Sequence, residues 1–110
     1  MEKAEIQELK LRILKDIEMF QYYLKEVLDN ELIEDSAALG IARQILKQGA
    51  ENLTEKQWYV FLKHGVGEVN YVSQCRRDYE KIPWEEMLGA VYIYEDGLCS
   101  YCRHKEEKGE

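Results

Sequence analysis

Proline, cysteine and histidine are scarce in this chain of 110 residues, which contains one, three and two of them respectively. With so little proline, and with Glu, Lys, Leu and Ile abundant, the composition favours helices over a β-sandwich. No apolar run approaches the roughly 20 residues that a membrane-spanning helix needs. The first residues, MEKAEIQELK, lack the apolar core of a signal peptide. We therefore expect a cytoplasmic protein with no membrane association.

Basic residues are also in the minority, with 15 Lys and Arg against 22 Asp and Glu and a net charge of −7. Nucleic-acid-binding proteins usually have a basic surface, because contacts with phosphates supply most of their non-specific affinity. The acidic average therefore favours a protein partner, including a partner whose basic surface ordinarily holds nucleic acid. It does not exclude a local basic patch.

Apolar residues recur at steps of three and four over residues 4–28, which predicts one long helix. The stripe consists of Ile6, Leu9, Ile13, Ile17, Phe20, Leu24 and Val27. Such a helix would be nearly 40 Å long, at about 1.5 Å per residue. The simpler interpretation is that it carries the core of its own domain. The alternative is that part of the stripe forms a homodimer interface.

A second helix is predicted over residues 36–47, with Asp35 or Ser36 as its N-cap. Gly49 follows its last apolar residue, in the position where a left-handed glycine commonly ends a helix.

A third helix begins with a capping box of Thr54 and Gln57 and extends to about residue 64. Two short helices joined by a tight loop are also typical of a helix-turn-helix. The third helix, however, offers only Lys56, Gln57 and Lys63 as outward polar groups and has no arginine for guanine edges or phosphates. We therefore interpret the pair as a structural helical hairpin.

The C-terminal part has shorter predicted elements. Residues 66–75 are expected to be extended, and Pro83 fits the first turn of a helix over residues 83–91. A turn at residues 95–97 follows, and the charged tail at residues 105–110 is expected to be flexible.

All three cysteines lie in this C-terminal part. Cys99 and Cys102 have the Cys-x-x-Cys spacing at which two thiolates chelate one tetrahedral zinc ion, and Gly97 permits a tight turn before them. Cys75, 24 positions before Cys99, is the third candidate ligand. An odd number of cysteines suits a metal site or free thiols better than disulfides.

The fourth ligand has three candidates. His104 is favoured, because imidazole suits zinc better than a carboxylate when thiolates fill the other positions, although the chain must fold back directly after Cys102. Asp78 is an alternative, since it follows Cys75 at the offset of a second Cys-x-x-Cys pair. His64 is the remaining candidate.

The segments LTEKQWYVF, IPWEEM and GLCSYCRH, in this order, resemble a group of small bacterial and phage-borne proteins with a C-terminal zinc-ribbon-like module. The pattern of that group is an LTxxQ helix start, a Cys-x-x-Cys pair, an Ile-Pro helix and a closing GLCxYC knuckle. The resemblance covers roughly residues 36–104 and departs at Asp78, where the second cysteine of the first pair would fall. It implies a metal site and no particular activity.

A basic group around the predicted knuckle is a second candidate site, because cations interleaved with Tyr79 and Tyr101 suit phosphates and stacked bases. Its members are Arg76, Arg77, Lys81, Arg103 and Lys105. Glutamates mixed among these cations favour a solvated rim instead.

Motifs of catalysis are missing. The sequence has no Gly-rich phosphate loop, no Gly-x-Ser-x-Gly and no His-Glu-x-x-His. A zinc deaminase would need His-x-Glu and Pro-Cys-x-x-Cys, whereas His64 and Glu68 are four apart and no proline precedes Cys99. We therefore predict that the protein is not an enzyme.

These observations predict a mainly α-helical domain over residues 1–110. A long N-terminal helix and a helical hairpin (residues 1–64) would pack on a zinc-knuckle or ribbon-like module (65–104), followed by the flexible tail. The predicted function is a zinc-stabilised, protein-binding regulator. Its narrower version is a phage-borne inhibitor of a bacterial defence complex such as CRISPR, an anti-CRISPR-like protein. The alternative is a zinc-dependent DNA- or RNA-binding transcriptional regulator.

Overall fold

A computed structural model describes residues 2–109 of the chain. These residues are mainly helical, as the composition predicts, and no strand occurs among them. No helix in this range is long and apolar enough to cross a bilayer. The chain folds as two compact units, Met1–Asn70 and Tyr71–Glu110. The boundary predicted after residue 64 falls inside a helical segment of the first unit.

The N-terminal apolar stripe forms two helices, so the prediction of one helix over residues 4–28 was wrong. Helix α1 is Lys3–Lys15 and helix α2 is Ile17–Asp29. Asp16 separates them with φ −135° and ψ 52°, and its backbone N–H donates to the Ile13 carbonyl at 3.3 Å. Aspartate is a weak helix former, because its side chain competes for nearby backbone groups. The apolar pattern continues across this position and therefore conceals the break.

The stripe is buried within the chain itself. Its buried members are Ile6, Leu9, Ile13, Phe20, Leu24 and Val27. The Phe20 and Phe61 rings meet edge to face with their centroids 6.1 Å apart, and Trp58 is 4% exposed. The large apolar side chains that these two helices leave exposed are Leu11, Leu14 and Tyr22. A homodimer through residues 4–28, which stays a prediction, would have to use those side chains.

Helix α3, Ser36–Gln48, begins and ends within one residue of the prediction. Asp35 is its N-cap, and the Asp35 carboxylate accepts a hydrogen bond from the Ala38 N–H at 2.8 Å. Gly49 ends the helix with φ 87°, a conformation that residues with a Cβ rarely adopt.

Helix α4, Glu55–Phe61, begins with the predicted capping box. The Thr54 hydroxyl accepts from the Gln57 N–H at 3.1 Å, and the Gln57 side chain accepts from the Thr54 N–H at 2.9 Å. The helix does not end near residue 64. It continues as a wider π-helical segment, here called π1, over Leu62–Gly67.

Gly65 and Asn70 fix the end of the first unit. A Cβ on Gly65 would lie 3.3 Å from the Phe61 ring, so a larger residue there would require the ring to shift slightly. The buried Asn70 side chain donates to the carbonyl oxygens of Leu32, at 3.2 Å, and Gly65, at 2.7 Å. The Asn70 carbonyl in turn accepts the Tyr23 hydroxyl at 2.6 Å.

The second unit contains helix α5, Trp84–Leu88, a π-helical segment π2, Gly89–Ile93, and helix α6, Ser100–Glu107. The helix predicted over residues 83–91 therefore forms with a π-helical second half. Pro83 is its N-cap residue and lies just before the first turn.

Two other predicted segments differ from the structure. Residues 66–75 contain the end of π1 and then turns, bends and irregular backbone, without a strand. The last turns of α6 continue to Glu107, so the helix extends into the segment 105–110.

Few side chains form the core of the second unit. Its buried apolar residues are Cys75, Ile82, Trp84, Met87, Ala90, Leu98, Cys99 and Cys102. The Trp84 ring packs on Tyr71 with a centroid distance of 5.6 Å. Three of these eight residues are cysteines, so the stability of this core depends on the interactions of their sulfur atoms.

Candidate metal centre

Four side chains from separate parts of the second unit converge on one point. They are Cys75, Asp78, Cys99 and Cys102. Their three sulfur atoms and one carboxylate oxygen all lie within 4.8 Å of one another. Such a set of atoms is compatible with a metal ion held between them. The prediction that the three cysteines converge is therefore confirmed.

The loop after Cys75 carries two of these groups. The Cys75 N–H donates to the Glu80 carbonyl at 2.7 Å, and the Tyr79 N–H donates to the Cys75 carbonyl at 2.9 Å. The Asp78 carboxylate accepts from the Glu80 N–H at 2.9 Å through Oδ1, which leaves Oδ2 directed at the sulfur atoms. A hydrogen bond within the loop thus fixes the orientation of the Asp78 carboxylate.

The other two groups belong to the start of α6. Cys99 is the N-cap, and its Sγ accepts a hydrogen bond from the Cys102 N–H at 3.4 Å. Gly97 precedes them with φ 64° and provides the tight turn that the sequence predicts. The Arg76 N–H donates to the Gly97 carbonyl at 3.0 Å, which ties the two ligand-bearing loops together.

Burial within the cluster is uneven. Cys75, Cys99 and Cys102 are 0%, 9% and 2% exposed, whereas Asp78 is exposed. Asp78 Oδ2 lies 3.2 Å from the Cys102 sulfur and 3.6 Å from the Cys99 sulfur. The three sulfur atoms therefore form the buried side of the site, and the carboxylate closes it towards solvent.

The environment shifts the pKa values of these groups in different directions. Burial raises the pKa of the Cys75 thiol, but the backbone N–H groups of Asp78, Cys99 and Arg77 together lower it, and the net pKa is below its usual value. Burial and the hydrogen bond to Asp78 raise the pKa of Cys102 to about 12. The pKa of Asp78 is lowered by the Glu80 N–H and by the Cys102 thiol.

The structure places Asp78 in the cluster, whereas the favoured candidate His104 is exposed and outside it. Residues two apart on a helix face different directions, so His104 points away when Cys102 points inwards. Because α6 continues straight through this segment, the chain does not fold back as a His104 ligand would require. His64, in the first unit, is not part of the cluster either.

Asp96 and Glu86 also support the site, although the sequence did not indicate either of them. Asp96 accepts two hydrogen bonds from the Arg103 guanidinium, at 2.8 and 3.0 Å, and Arg103 also donates to the Leu98 carbonyl at 2.9 Å. The Glu86 carboxylate accepts from the Ser100 N–H at 2.6 Å at the start of α6. Only their partners distinguish these two carboxylates from ordinary surface acids.

The basic residues of the predicted nucleic-acid site have internal partners. Arg76 donates to the Asp96 carbonyl at 2.6 Å and pairs with Glu106 at 3.6 Å. Arg77 donates to the Cys102 carbonyl at 3.4 Å. Arg103, besides binding Asp96, stacks on the Tyr94 ring at 4.0 Å.

The group also contains two lysines. Lys105 lies over the Tyr101 ring at 4.9 Å, and Lys81 is exposed at the end of the Cys75 loop. Neither is part of the metal-compatible cluster.

The chain matches no protein-family model, no curated protein and no solved structure. The resemblance to proteins with a zinc-ribbon-like module therefore stays a prediction. The convergence of three sulfur atoms and one carboxylate oxygen does not depend on that resemblance.

Proposed function

We propose that Cys75, Asp78, Cys99 and Cys102 bind one zinc ion, and that this ion stabilises the second unit. The observation that carries the proposal is the approach of their four ligand atoms to within 4.8 Å of one another. Zinc takes four ligands in a tetrahedron and favours thiolates, and three sulfur atoms select it over magnesium or calcium.

The size of the second unit supports a structural role for the ion. It consists of residues 71–110, and chains below about 40 residues usually need a metal, disulfides or a partner in order to fold. Its three cysteines are free. Binding of zinc would replace thiol protons and join two loops that are distant in sequence, so the binding free energy would contribute to folding.

Elemental analysis of the purified protein tests the metal site. We expect about one zinc ion per chain, as for a closed structural site. Cys99→Ser should lose the ion, whereas the control Ser100→Ala, at the next and exposed position, should retain it. A Cys99→Ser protein with full zinc content would reject the ligand assignment.

We further propose that the protein acts by binding another protein and not by catalysis. The net charge of −7 and the internal partners of Arg76, Arg77 and Arg103 support this choice over nucleic acid. Exposed large apolar side chains of the second unit also support it, because tyrosine is enriched in protein interfaces. They are Tyr79, Ile93, Tyr94 and Tyr101.

The alternative function, a zinc-dependent DNA- or RNA-binding regulator, would use Lys81 and Lys105 together with the arginines. Titration with duplex DNA and with single-stranded RNA at two salt concentrations separates the two functions. Sub-micromolar binding that weakens steeply with salt would favour the alternative and reject the protein-binding proposal.

The narrower version is a phage-borne inhibitor of a bacterial defence complex such as CRISPR. Acidity supports it, since an acidic protein can occupy a basic nucleic-acid channel. Addition of the purified protein to reconstituted CRISPR effector complexes should then prevent target-DNA binding. Unchanged DNA binding across effector types would reject this version and leave the metal site unaffected.

A further inference from the structure

The four groups of the metal-compatible cluster differ in how well they are protected. The sulfur atoms are enclosed by the second unit, and Cys75 is completely buried. Asp78 alone is exposed. An incoming molecule could therefore reach the site at the Asp78 corner without opening the core.

Asp78 is also the poorest zinc ligand of the four. Soft thiolates hold zinc better than a carboxylate when the remaining ligands are thiolates. One carboxylate oxygen of Asp78 already accepts from the Glu80 N–H at 2.9 Å, and only Oδ2 faces the sulfur atoms. The fourth position is thus closed by a single oxygen atom of an exposed side chain.

The chain itself supplies no better donor for this corner. Its three cysteines are all in the cluster already, and neither His64 nor His104 belongs to it. A softer fourth ligand must therefore come from another molecule.

We propose that the Asp78 corner is an exchangeable position that accepts a thiolate from outside the chain. The proposal rests on the proposed zinc site. In the exchange the bond between the metal and Asp78 Oδ2 breaks and a metal–sulfur bond forms. The thiol proton leaves to solvent, and Asp78 stays as a free carboxylate. One anionic ligand replaces another, so the charge of the coordination sphere does not change and no oxidant is needed, while the displaced Asp78 carboxylate remains beside it as one additional negative charge.

The residues that flank the corner in sequence are exposed. Arg76 follows Cys75 directly, and its side chain is 59% exposed while it donates to the Asp96 carbonyl and pairs with Glu106. Tyr79 follows Asp78 with φ 61° and is 69% exposed. A non-glycine residue in that left-handed conformation stores strain, and such strain is concentrated at functional sites.

Cobalt-substituted protein provides the direct test, because sulfur-to-cobalt charge-transfer absorption counts thiolate ligands. Addition of 2-mercaptoethanol should raise this absorption by about one third, as three cobalt–sulfur bonds become four. Acetate at the same concentration should not raise it. Asp78→Ala should bind 2-mercaptoethanol about 10-fold more tightly, because no carboxylate has to be displaced.

Two further variants complete the experiment. Asp78→Cys should show the four-thiolate absorption from the start and should not respond to added thiol. Glu107→Ala, which removes an exposed carboxylate of the same unit outside the cluster, should behave like the unaltered protein. A short peptide with one cysteine distinguishes the source of the thiolate: binding of peptide and 2-mercaptoethanol alike indicates access for a protein cysteine, and binding of 2-mercaptoethanol alone indicates a small thiol.

The result that overturns the proposal is a three-thiolate cobalt spectrum that 2-mercaptoethanol leaves unchanged in the unaltered protein. That result would leave the metal site itself intact. Failure of the protein to bind cobalt or zinc at all would instead reject the proposed zinc site, and with it this inference.

Discussion

The sulfur atom of Cys102 lies 3.2 Å from Oδ2 of Asp78, although 24 positions separate the two residues in the sequence. This contact joins the loop after Cys75 to the start of α6. Without a metal ion, the Cys102 thiol can donate a hydrogen bond to the Asp78 carboxylate across this contact. With a zinc ion, the same two atoms would become ligands of one centre, and the second unit would gain stability from that ion.

Removal of metal should therefore destabilise the second unit. Zinc at about 1,000 times its dissociation constant adds about 4 kcal/mol to the free energy of unfolding. We expect a chelator to make the amide hydrogens of α6 exchange faster and to leave the exchange rates in α3 largely unchanged. Unaltered exchange in α6 after complete removal of zinc would contradict a stabilising role.

Asp96→Asn should destabilise the protein by about 2 kcal/mol, because it weakens charged hydrogen bonds to a well-buried partner. The Asp96 and Arg103 side chains are only 19% and 13% exposed. Asp29→Asn is the matched control: its partner Lys25 also lies at 2.8 Å, but both side chains are more than half exposed. We expect no measurable loss of stability there, because solvent screens an exposed pair. Chemical denaturation measures both values.

The contribution of Asp96 should depend on pH in one direction. The Arg103 guanidinium lowers the pKa of Asp96 below its usual value of 3.8. Stability from this pair is therefore fully present above that value and is lost as the pH falls through the lowered pKa. The difference between the Asp96→Asn protein and the unaltered protein should shrink only below pH 3.8. A difference that already disappears between about pH 7 and about pH 5 would contradict this assignment.

Asn70→Ala should destabilise the first unit by about 2 kcal/mol, since it leaves one buried and one partly buried carbonyl oxygen without this donor. These are the carbonyls of Leu32 and Gly65. Asn52→Ala, at an exposed turn, is the control and should change stability by less than about 0.5 kcal/mol. Thermal unfolding followed by circular dichroism distinguishes the two. Equal effects would show that the amide of Asn70 does not hold these loops.

Two left-handed positions beside the cluster should respond to substitution with opposite signs. Tyr79 has φ 61° and Gly97 has φ 64°. Tyr79→Gly should stabilise the protein by about 1 kcal/mol, and Gly97→Ala should destabilise it by about the same amount. No atom within 4 Å would meet the new Cβ at Gly97, so the cost there is conformational. Denaturation midpoints of both variants test the pair. A Tyr79→Gly protein that is less stable would show that the ring contributes more than the strain costs.

Local sequence signals predicted the features that depend on neighbouring residues. The caps at Asp35 and Thr54, and the helix end at Gly49, are each determined by a few adjacent positions. The break at Asp16 was not predictable from the apolar pattern, because that pattern continues through it, whereas in the structure α1 packs mainly on π1 and α2 mainly on α3. The π-helical segments have no sequence signature of comparable strength.

The same distinction applies to the metal centre. Cysteine spacing indicated which sulfur atoms meet, since few other arrangements suit Cys99, Cys102 and Cys75. The preference of zinc for imidazole over a carboxylate then favoured His104 as the fourth ligand. The structure, however, has Asp78 in the cluster and His104 outside it. The loop that returns from Cys75 presents Asp78 to the sulfur atoms, whereas the regular path of α6 directs His104 outwards.

The chain has two tryptophans, and one is buried in each unit: Trp58 at 4% exposure and Trp84 at 2%. Each unit therefore contains its own fluorescent reporter. In a Trp58→Phe protein the tryptophan emission comes from the second unit alone, and in a Trp84→Phe protein it comes from the first. The two units can thus be observed one at a time in the intact chain, without labels and without cutting it.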